Sequence, residues 1–107
     1  MKNPVGPVLR MGDDVELVIA AIEDDNPGTL VEVIDRGAYV RVQGEDRIVL
    51  TEATLRRYLG SDFQIRSFGA MMSAFSGRAI TTSDSITWQS IGPGRSGQQN
   101  GRNVVTA

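Results

Sequence analysis

Hydrophobic and polar residues alternate most clearly between residues 29 and 42. In the segment Ala38–Val42, alternate side chains are small or apolar and the others are Tyr39 and Arg41, as in a half-buried strand. The segment Thr29–Asp35 is more continuously apolar, which predicts a strand embedded more deeply than its partner. Arg36-Gly37 between the two predicts a hairpin turn, because glycine adopts a positive φ without cost.

The chain before this hairpin predicts one strand and one helix. Val5–Arg10 is extended in character, and Pro7 predicts an edge strand or a lead-in, because proline lacks a backbone N–H. Asp13 or Asp14 is expected to cap a helix that ends at Asn26-Pro27-Gly28. That helix carries an apolar stripe at helical spacing, formed by Val15, Val18, Ile19 and Ile22.

The chain after the hairpin predicts a turn at residues 43–46, a strand at Arg47–Leu50 and a helix capped by Thr51 and ended by Gly60. Asp62–Phe68 predicts either one or two helical turns or, at Gln64-Ile65-Arg66, an extended segment. We expect a last hairpin in the region of Ala70 to Gln89, with Gly77 as a bulge or a point of close approach.

These elements predict an α+β fold at residues 5–90, built of two tightly joined halves. The first half, about residues 5–44, is strand-helix-strand-strand, and the second, about residues 45–90, is strand-helix-helix-strand-strand. Residues 91–107 are rich in glycine and polar residues and have little to bury, which predicts a disordered C-terminal tail.

Composition excludes several kinds of chemistry. The 107 residues include no cysteine and no histidine, so the chain lacks thiolate chemistry and histidine-based catalysis. We therefore expect no catalytic residue, no cofactor and no metal site. The net charge of −2 does not favour nucleic acid or a membrane surface as a partner, and the chain start has no apolar leader, so a cytoplasmic location is expected.

The remaining candidate features are paired carboxylates and a pair of methionines. The paired carboxylates Asp13-Asp14, Asp24-Asp25 and Glu45-Asp46 are adjacent in sequence, so their side chains point in different directions and do not share a proton. Met71-Met72 beside Phe75 is either core packing or an adaptable apolar contact surface.

The chain resembles the effector, or coupling, proteins of bacterial soluble diiron monooxygenases, a family that includes methane monooxygenase component B and its counterparts in phenol, toluene and alkene monooxygenases. The resemblance spans Val5 to about Gln89 and is most similar to the toluene and alkene branch. It is carried by an ordered set of motifs: Val5-Gly6-Pro7, Asp25-Asn26-Pro27-Gly28, residues 35–42, Leu50-Thr51, Thr54-Leu55, Leu59-Gly60 and Phe75-Ser76-Gly77. The Gly-rich tail matches no motif of the family.

The resemblance implies a cofactor-free regulatory subunit that binds the diiron hydroxylase of an alkene or aromatic monooxygenase. Such a subunit would tune substrate access, O2 activation and coupling, in competition or coordination with the ferredoxin or reductase. The hydroxylase-binding residues that it implies are Val5, Gly6, Pro7, Asn26, Pro27, Arg36, Tyr39, Ser73, Ala74, Phe75, Ser76, Gly77 and Arg78. Two alternatives remain at this point: an oligomeric module that senses a small molecule, and a small enzyme.

Overall fold

The computed structural model describes residues 1–91, in which seven strands, two α-helices and one 3-10 helix form an α+β fold. The strands are β1 (Pro4–Arg10), β2 (Glu32–Asp35), β3 (Tyr39–Glu45), β4 (Arg47–Thr51), β5 (Met72–Ser76), β6 (Arg78–Thr81) and β7 (Ser85–Gln89). The α-helices are α1 (Val15–Asp25) and α2 (Glu52–Leu59), and the 3-10 helix is Ile65–Ala70. The predicted fold class is confirmed, and the predicted tail lies outside the described residues except for Ile91.

The strands form two antiparallel sheets. The first has the order β2-β3-β1-β5 and the second the order β4-β7-β6. Strand β5 follows α2 in the chain, yet it pairs with β1 at the other end of the sequence. The two halves therefore share one sheet, and the first sheet cannot be completed without a strand from the second half.

The hydrophobic core lies between the two sheets and the helices. In the second sheet, Ile48 is opposite Trp88 and Leu50 is opposite Ile86, and all four side chains are buried. The Trp88 ring meets Phe68 edge-on, with ring centroids 6.0 Å apart. The first sheet and α1 complete this cluster with Val5, Leu9, Val18, Ile22, Val40 and Val42. Apolar burial of this kind is the main favourable term in folding.

Both helices begin and end near the predicted residues. Thr51 caps α2, because its hydroxyl accepts a hydrogen bond from the Thr54 N–H at 3.2 Å, and Gly60 ends the helix with a φ of 117°. Asp14 stands at the N-cap of α1, but its side chain makes no capping hydrogen bond. The helix therefore starts where the aspartate cap was predicted, but the aspartate side chain does not form the predicted capping hydrogen bond.

Strand β2 is less buried than β3, so the prediction of a deeply embedded strand is wrong. It begins only at Glu32 and lies at the edge of the first sheet, where Val33 is 42% exposed. Its continuous apolar composition suggested two covered faces, but only β3 pairs with it among the described residues. Gly37 does adopt the predicted positive φ, 86°.

Strand β1 is a central strand, so the prediction that Pro7 marks an edge is also wrong. The ladder between β1 and β3 passes from Val5↔Gly44 directly to Val8↔Arg41 and skips Gly6 and Pro7. Because the ladder is interrupted there, the missing N–H of proline is tolerated inside the sheet.

The turn predicted at residues 43–46 is shorter than expected. Strand β3 continues to Glu45, and Asp46 alone, with a φ of 67°, reverses the chain into β4. The predicted last hairpin is also different: β6 and β7 pair with each other, whereas β5 belongs to the first sheet. Gly77 is the residue at which the chain crosses from one sheet to the other.

Candidate partner-binding surface

Strand β5 forms an exposed edge of the first sheet. On one side Ser76, Phe75 and Ala74 pair with β1, and no described strand pairs with the other side. Ser73, Ala74 and Phe75 are exposed, and the Phe75 side chain is 45% exposed despite its size. An edge strand with an exposed aromatic side chain offers a partner both unpaired backbone groups and an apolar anchor.

The outer face of the first sheet continues this surface beyond β5. Arg41 and Ala74 are both opposite Val8, so these residues share one face. Arg41 Nη1 donates a hydrogen bond to Ser76 Oγ at 3.0 Å. Tyr39, 45% exposed, lies two residues from Arg41 on the same strand face. Phe75, which pairs with Pro7, projects from the opposite face of β5 at the same strand edge. We call the set Arg36, Tyr39, Arg41, Ser73, Ala74 and Phe75 the β5 surface; Arg41 is half-buried and the other five residues are exposed.

Arg41 was not among the predicted contact residues. Its alternation with Tyr39 along β3 placed both on one face, but the sequence did not show that this face continues onto β5. That continuity depends on the pairing of β5 with β1. Arg78, also exposed, follows Gly77 at the start of β6 and lies next to this surface along the chain.

Val5, Gly6 and Pro7 were predicted to contact the partner, yet they are buried in the middle of the first sheet. A Cβ added at Gly6 would collide with the Val42 carbonyl oxygen. Gly6 and Pro7 hold β5 in the sheet, because they pair with Ser76 and Phe75, and Val5 belongs to the core. The structure thus gives them a role inside the protein.

Gly77 has a similar internal role. Its φ is +90°, and an added Cβ would lie 2.6 Å from Val5 Cγ1 and 2.8 Å from the Gln89 carbonyl oxygen. The close approach predicted at this glycine is therefore made with the protein's own β1 and β7. A substitution at Gly77 tests folding and is unsuitable as a test of docking.

The Asn26–Pro27 corner lies beside β4, which is a strand of the second sheet, and it is not part of the β5 surface. Asn26 is 8% exposed, and its amide nitrogen donates to the Ile22 and Val49 carbonyl oxygens at 2.6 and 2.8 Å. Its Oδ1 accepts from the Val49 N–H at 2.9 Å. The side-chain amide thus pairs with the free edge of β4 as a neighbouring strand would, while Pro27 is exposed.

Asp25 strengthens the same junction. Its carboxylate accepts hydrogen bonds from the Thr51 backbone N–H at 2.7 Å, the Thr51 hydroxyl at 3.0 Å and the Thr54 hydroxyl at 2.6 Å. A carboxylate at the N-terminus of α2 is also favoured by the helix dipole. The motif Asp25-Asn26 therefore holds the end of α1 against β4 and the start of α2.

A second contact between the helices involves Tyr58, whose hydroxyl donates to Asp24 Oδ2, while Arg57 Nη2 lies 3.1 Å from the same oxygen. The hydrogen bond to Asp24, with smaller effects of burial and of the Asp24 charge, raises the pKa of Tyr58 above 10.0. Any stability that this raised pKa contributes is present below pH 10 and is lost as the pH rises through the pKa of the folded protein.

We expect this pKa to be visible in a spectrophotometric titration. The chain has two tyrosines, so Tyr39→Phe leaves Tyr58 as the observed phenol. Its midpoint should lie above 10.0 and should fall when Asp24→Asn is added, because the accepting charge is lost. A midpoint at or below 10.0 in the first variant would contradict the assigned contact.

Within residues 1–91, no group of three or more histidine, cysteine, aspartate or glutamate side chains is arranged to hold a metal ion. No helix in the same range is long and apolar enough to cross a membrane. The described residues form a small α+β domain whose first sheet has an exposed edge at β5.

Comparison with known proteins identifies the class. Residues 3–89 match the MmoB/DmpM family, so the chain belongs to that family. It is 41% identical over 87 residues to the effector subunit of the alkene monooxygenase system of Xanthobacter autotrophicus (strain ATCC BAA-1158 / Py2), a match that covers 81% of this chain and 86% of the relative. The family consists of non-catalytic regulatory components, and this chain is accordingly an effector subunit of a multicomponent monooxygenase and not an enzyme.

Solved structures show the same fold. The chain is similar to a chain in the structure of a phenol hydroxylase–regulatory protein complex, with a TM-score of 0.72 and 24% identity, covering 80% of this chain and 97% of that one. It is also similar to the soluble methane monooxygenase regulatory protein B, with a TM-score of 0.66 and 25% identity, covering 90% of this chain and 72% of that one. The resemblance inferred from the sequence motifs is confirmed.

Proposed function

We propose that this protein binds the diiron hydroxylase of an alkene or aromatic monooxygenase and tunes substrate access, O2 activation and the coupling of electron use to oxidation. Membership of the MmoB/DmpM family carries the proposal. It is supported by the alkene monooxygenase effector subunit at 41% identity and by a neighbour of the same fold whose structure is that of a phenol hydroxylase complex.

The β5 surface is our proposed docking site. It combines an unpaired strand edge, the exposed Phe75 at that edge, and the side chains of Tyr39 and Arg41 on the sheet face that Ala74 shares. The small side chains Ser73 and Ala74 allow a partner to approach the backbone closely. Buried aromatic anchors surrounded by weaker contacts are typical of protein interfaces in which a few residues supply most of the affinity.

An effector without catalytic groups acts through differential affinity. It shifts the conformations of its hydroxylase only as far as it binds one of them more tightly than the other. A contact made in one state alone and worth about 1.4 kcal/mol changes the ratio of the two states tenfold. One or two such contacts on the β5 surface are therefore sufficient for regulation. If the ferredoxin or reductase binds the hydroxylase at the face that this protein occupies, the two compete for it.

Phe75→Ala is expected to weaken hydroxylase binding about tenfold, because it removes the apolar anchor. Ala74→Arg is expected to have a similar or larger effect, since it places a long charged side chain where the partner backbone would approach. Both are measured as the dissociation constant for the hydroxylase and as the yield of oxidised product per electron consumed.

Leu30→Ala is the matched control. Leu30 is even more exposed than Phe75, but it lies in the segment before β2 and outside the β5 surface. Circular dichroism verifies that each variant is folded. If folded Phe75→Ala and Ala74→Arg both bind with unchanged affinity and support fully coupled turnover, the β5 surface is not the docking site.

A further inference from the structure

An open groove of about 450 Å³ lies between α1 and the β2–β3 hairpin, on the opposite face of the first sheet from Tyr39 and Arg41. Its apolar lining is formed by Met11, Val15, Ile19, Ala20, Val33 and Val40. Met11 is 43% exposed and Val33 42% exposed, so the groove presents apolar surface to its surroundings. Such surface indicates a binding site when it is contiguous and bordered by polar groups.

The border of the groove is negatively charged. Glu16 and Glu23 on α1 and Asp35 at the end of β2 line it, and none of the nine residues that form the groove is basic. A ligand that fits this site has apolar side chains for the floor and positive charge for the border. Charge complementarity of this kind favours one orientation of the ligand and disfavours acidic competitors.

The C-terminal segment of the same chain has this chemistry. Residues 92–107 include Arg95 and Arg102, no aspartate or glutamate, and the apolar pair Val104-Val105. Their composition cannot form a core of its own, so ordering requires a surface that supplies apolar contacts and opposite charge. The family match ends at residue 89, which makes this segment a feature of this chain outside the shared fold.

The segment is long enough to reach the groove. It starts beyond Ser90, whose N–H donates to the Asp46 carbonyl oxygen, close to the start of β1. The groove begins at Met11, just past the other end of β1, about 23 Å away for a seven-residue strand. Eleven extended residues, from Gly92 to Arg102, span at most about 36 Å.

We propose that Val104 and Val105 bind in the groove between α1 and β2, with Arg102 against the carboxylates of its border. The segment then covers the exposed apolar side chains of Met11 and Val33. The proposal concerns the free protein and makes no use of the hydroxylase, so it stands or fails separately from the proposed function.

A spin label on the full-length chain tests this contact. Since the protein has no cysteine, Thr106→Cys provides one attachment site for a nitroxide next to the valine pair. Methyl signals of Val15, Ile19 and Val33 are expected to broaden several-fold more than those of Ile80 on the second sheet. The broadening should diminish between 0.1 and 1 M salt, as the screening length falls from about 10 to about 3 Å.

Charge reversal identifies the ionic part of the contact. Arg102→Glu in the labelled chain is expected to reduce the selective broadening several-fold, and the further changes Glu16→Lys and Glu23→Lys should restore it. Arg95→Glu changes the net charge equally but lies outside the proposed contact, so it should leave most of the broadening in place. Val104→Asp should abolish it.

Three outcomes would overturn the proposal. The first is broadening that is uniform over the surface, and the second is broadening concentrated at another site such as β5. The third is broadening of signals from unlabelled molecules that are mixed with labelled ones. The last outcome would mean that the segment binds a second copy of the chain and not its own groove.

Discussion

Replacing Asn26 with alanine is expected to lower the free energy of unfolding by about 3 kcal/mol, because buried backbone groups lose their partners. The Asn26 amide satisfies both the N–H and the carbonyl oxygen of Val49 at the edge of β4, and it also donates to the Ile22 carbonyl oxygen. For a domain of this size, that loss corresponds to a melting temperature about 10–20 °C lower.

Two variants separate the hydrogen bonds of Asn26 from its volume. Asn26→Asp keeps the shape and the acceptor for the Val49 N–H, but it cannot donate to the two carbonyl oxygens, so it should also be strongly destabilising. Gln43→Ala removes an amide that bonds to Glu32 at the surface and should cost less than about 1 kcal/mol. Thermal unfolding that gave Asn26→Ala and Gln43→Ala equal stability would show that the corner is not a structural junction.

Gly77→Val is expected to prevent stable folding. The new side chain would have to adopt a φ of +90°, and its Cβ would approach Val5 and the backbone of Gln89 to less than 3 Å. Neither neighbour has room to move, because Val5 is 1% exposed in the core and Gln89 is in the ladder of β7. Strain of the backbone and overpacking add at this site, and each costs of order 1–3 kcal/mol.

Gly37→Ala is the matched control for Gly77. Gly37 has nearly the same φ, +86°, but an added Cβ would have no atom within 4 Å. It should therefore show the conformational cost alone, about 1–2 kcal/mol. Chemical denaturation distinguishes the two positions. If Gly77→Val were as stable as Gly37→Ala, the crossing between the sheets would be less closely packed than the structure shows.

Local patterns predicted most of the elements. The helical stripe of α1, the Thr51 cap and Gly60 stop of α2 and the alternation in β3 depend on residues within a few positions of one another, and each element is present. The absence of cysteine and histidine likewise limits the chemistry open to the chain, since it is a property of composition alone. The ordered motifs were sufficient to indicate the effector family.

Exposure was predicted less well, because it depends on contacts between distant parts of the chain. The apolar composition of β2 suggested a buried strand, yet its position at the sheet edge leaves Val33 partly exposed. Pro7 suggested an edge, yet β3 and β5 pair on both sides of β1. In each case the residue's own preference was overridden by the order of the strands.

The candidate surface shows the same division. The sequence indicated Phe75 and Gly77 as neighbours in one motif, but the structure exposes the first and packs the second against Val5 and Gln89. Asn26 was predicted to contact the partner, and the structure shows that its side chain is hydrogen-bonded to Val49, 23 residues away. Whether the exposed residues bind the hydroxylase is a proposal that the Phe75 and Ala74 variants test.

By itself, the sequence determined the element types, the capping and breaking residues, and the lack of histidine and cysteine chemistry, since these are properties of composition or of short-range spacing. The family came from the resemblance of its ordered motifs to those of known effector proteins. Only the tertiary structure decided which strand lies at an edge and which glycines are enclosed. It also decided that β5 joins β1 across 65 residues of sequence, which places Ala74 on one sheet face with Tyr39 and Arg41. The physical reason is that burial and strand pairing are set by non-local contacts, whose free energy depends on the whole chain being folded.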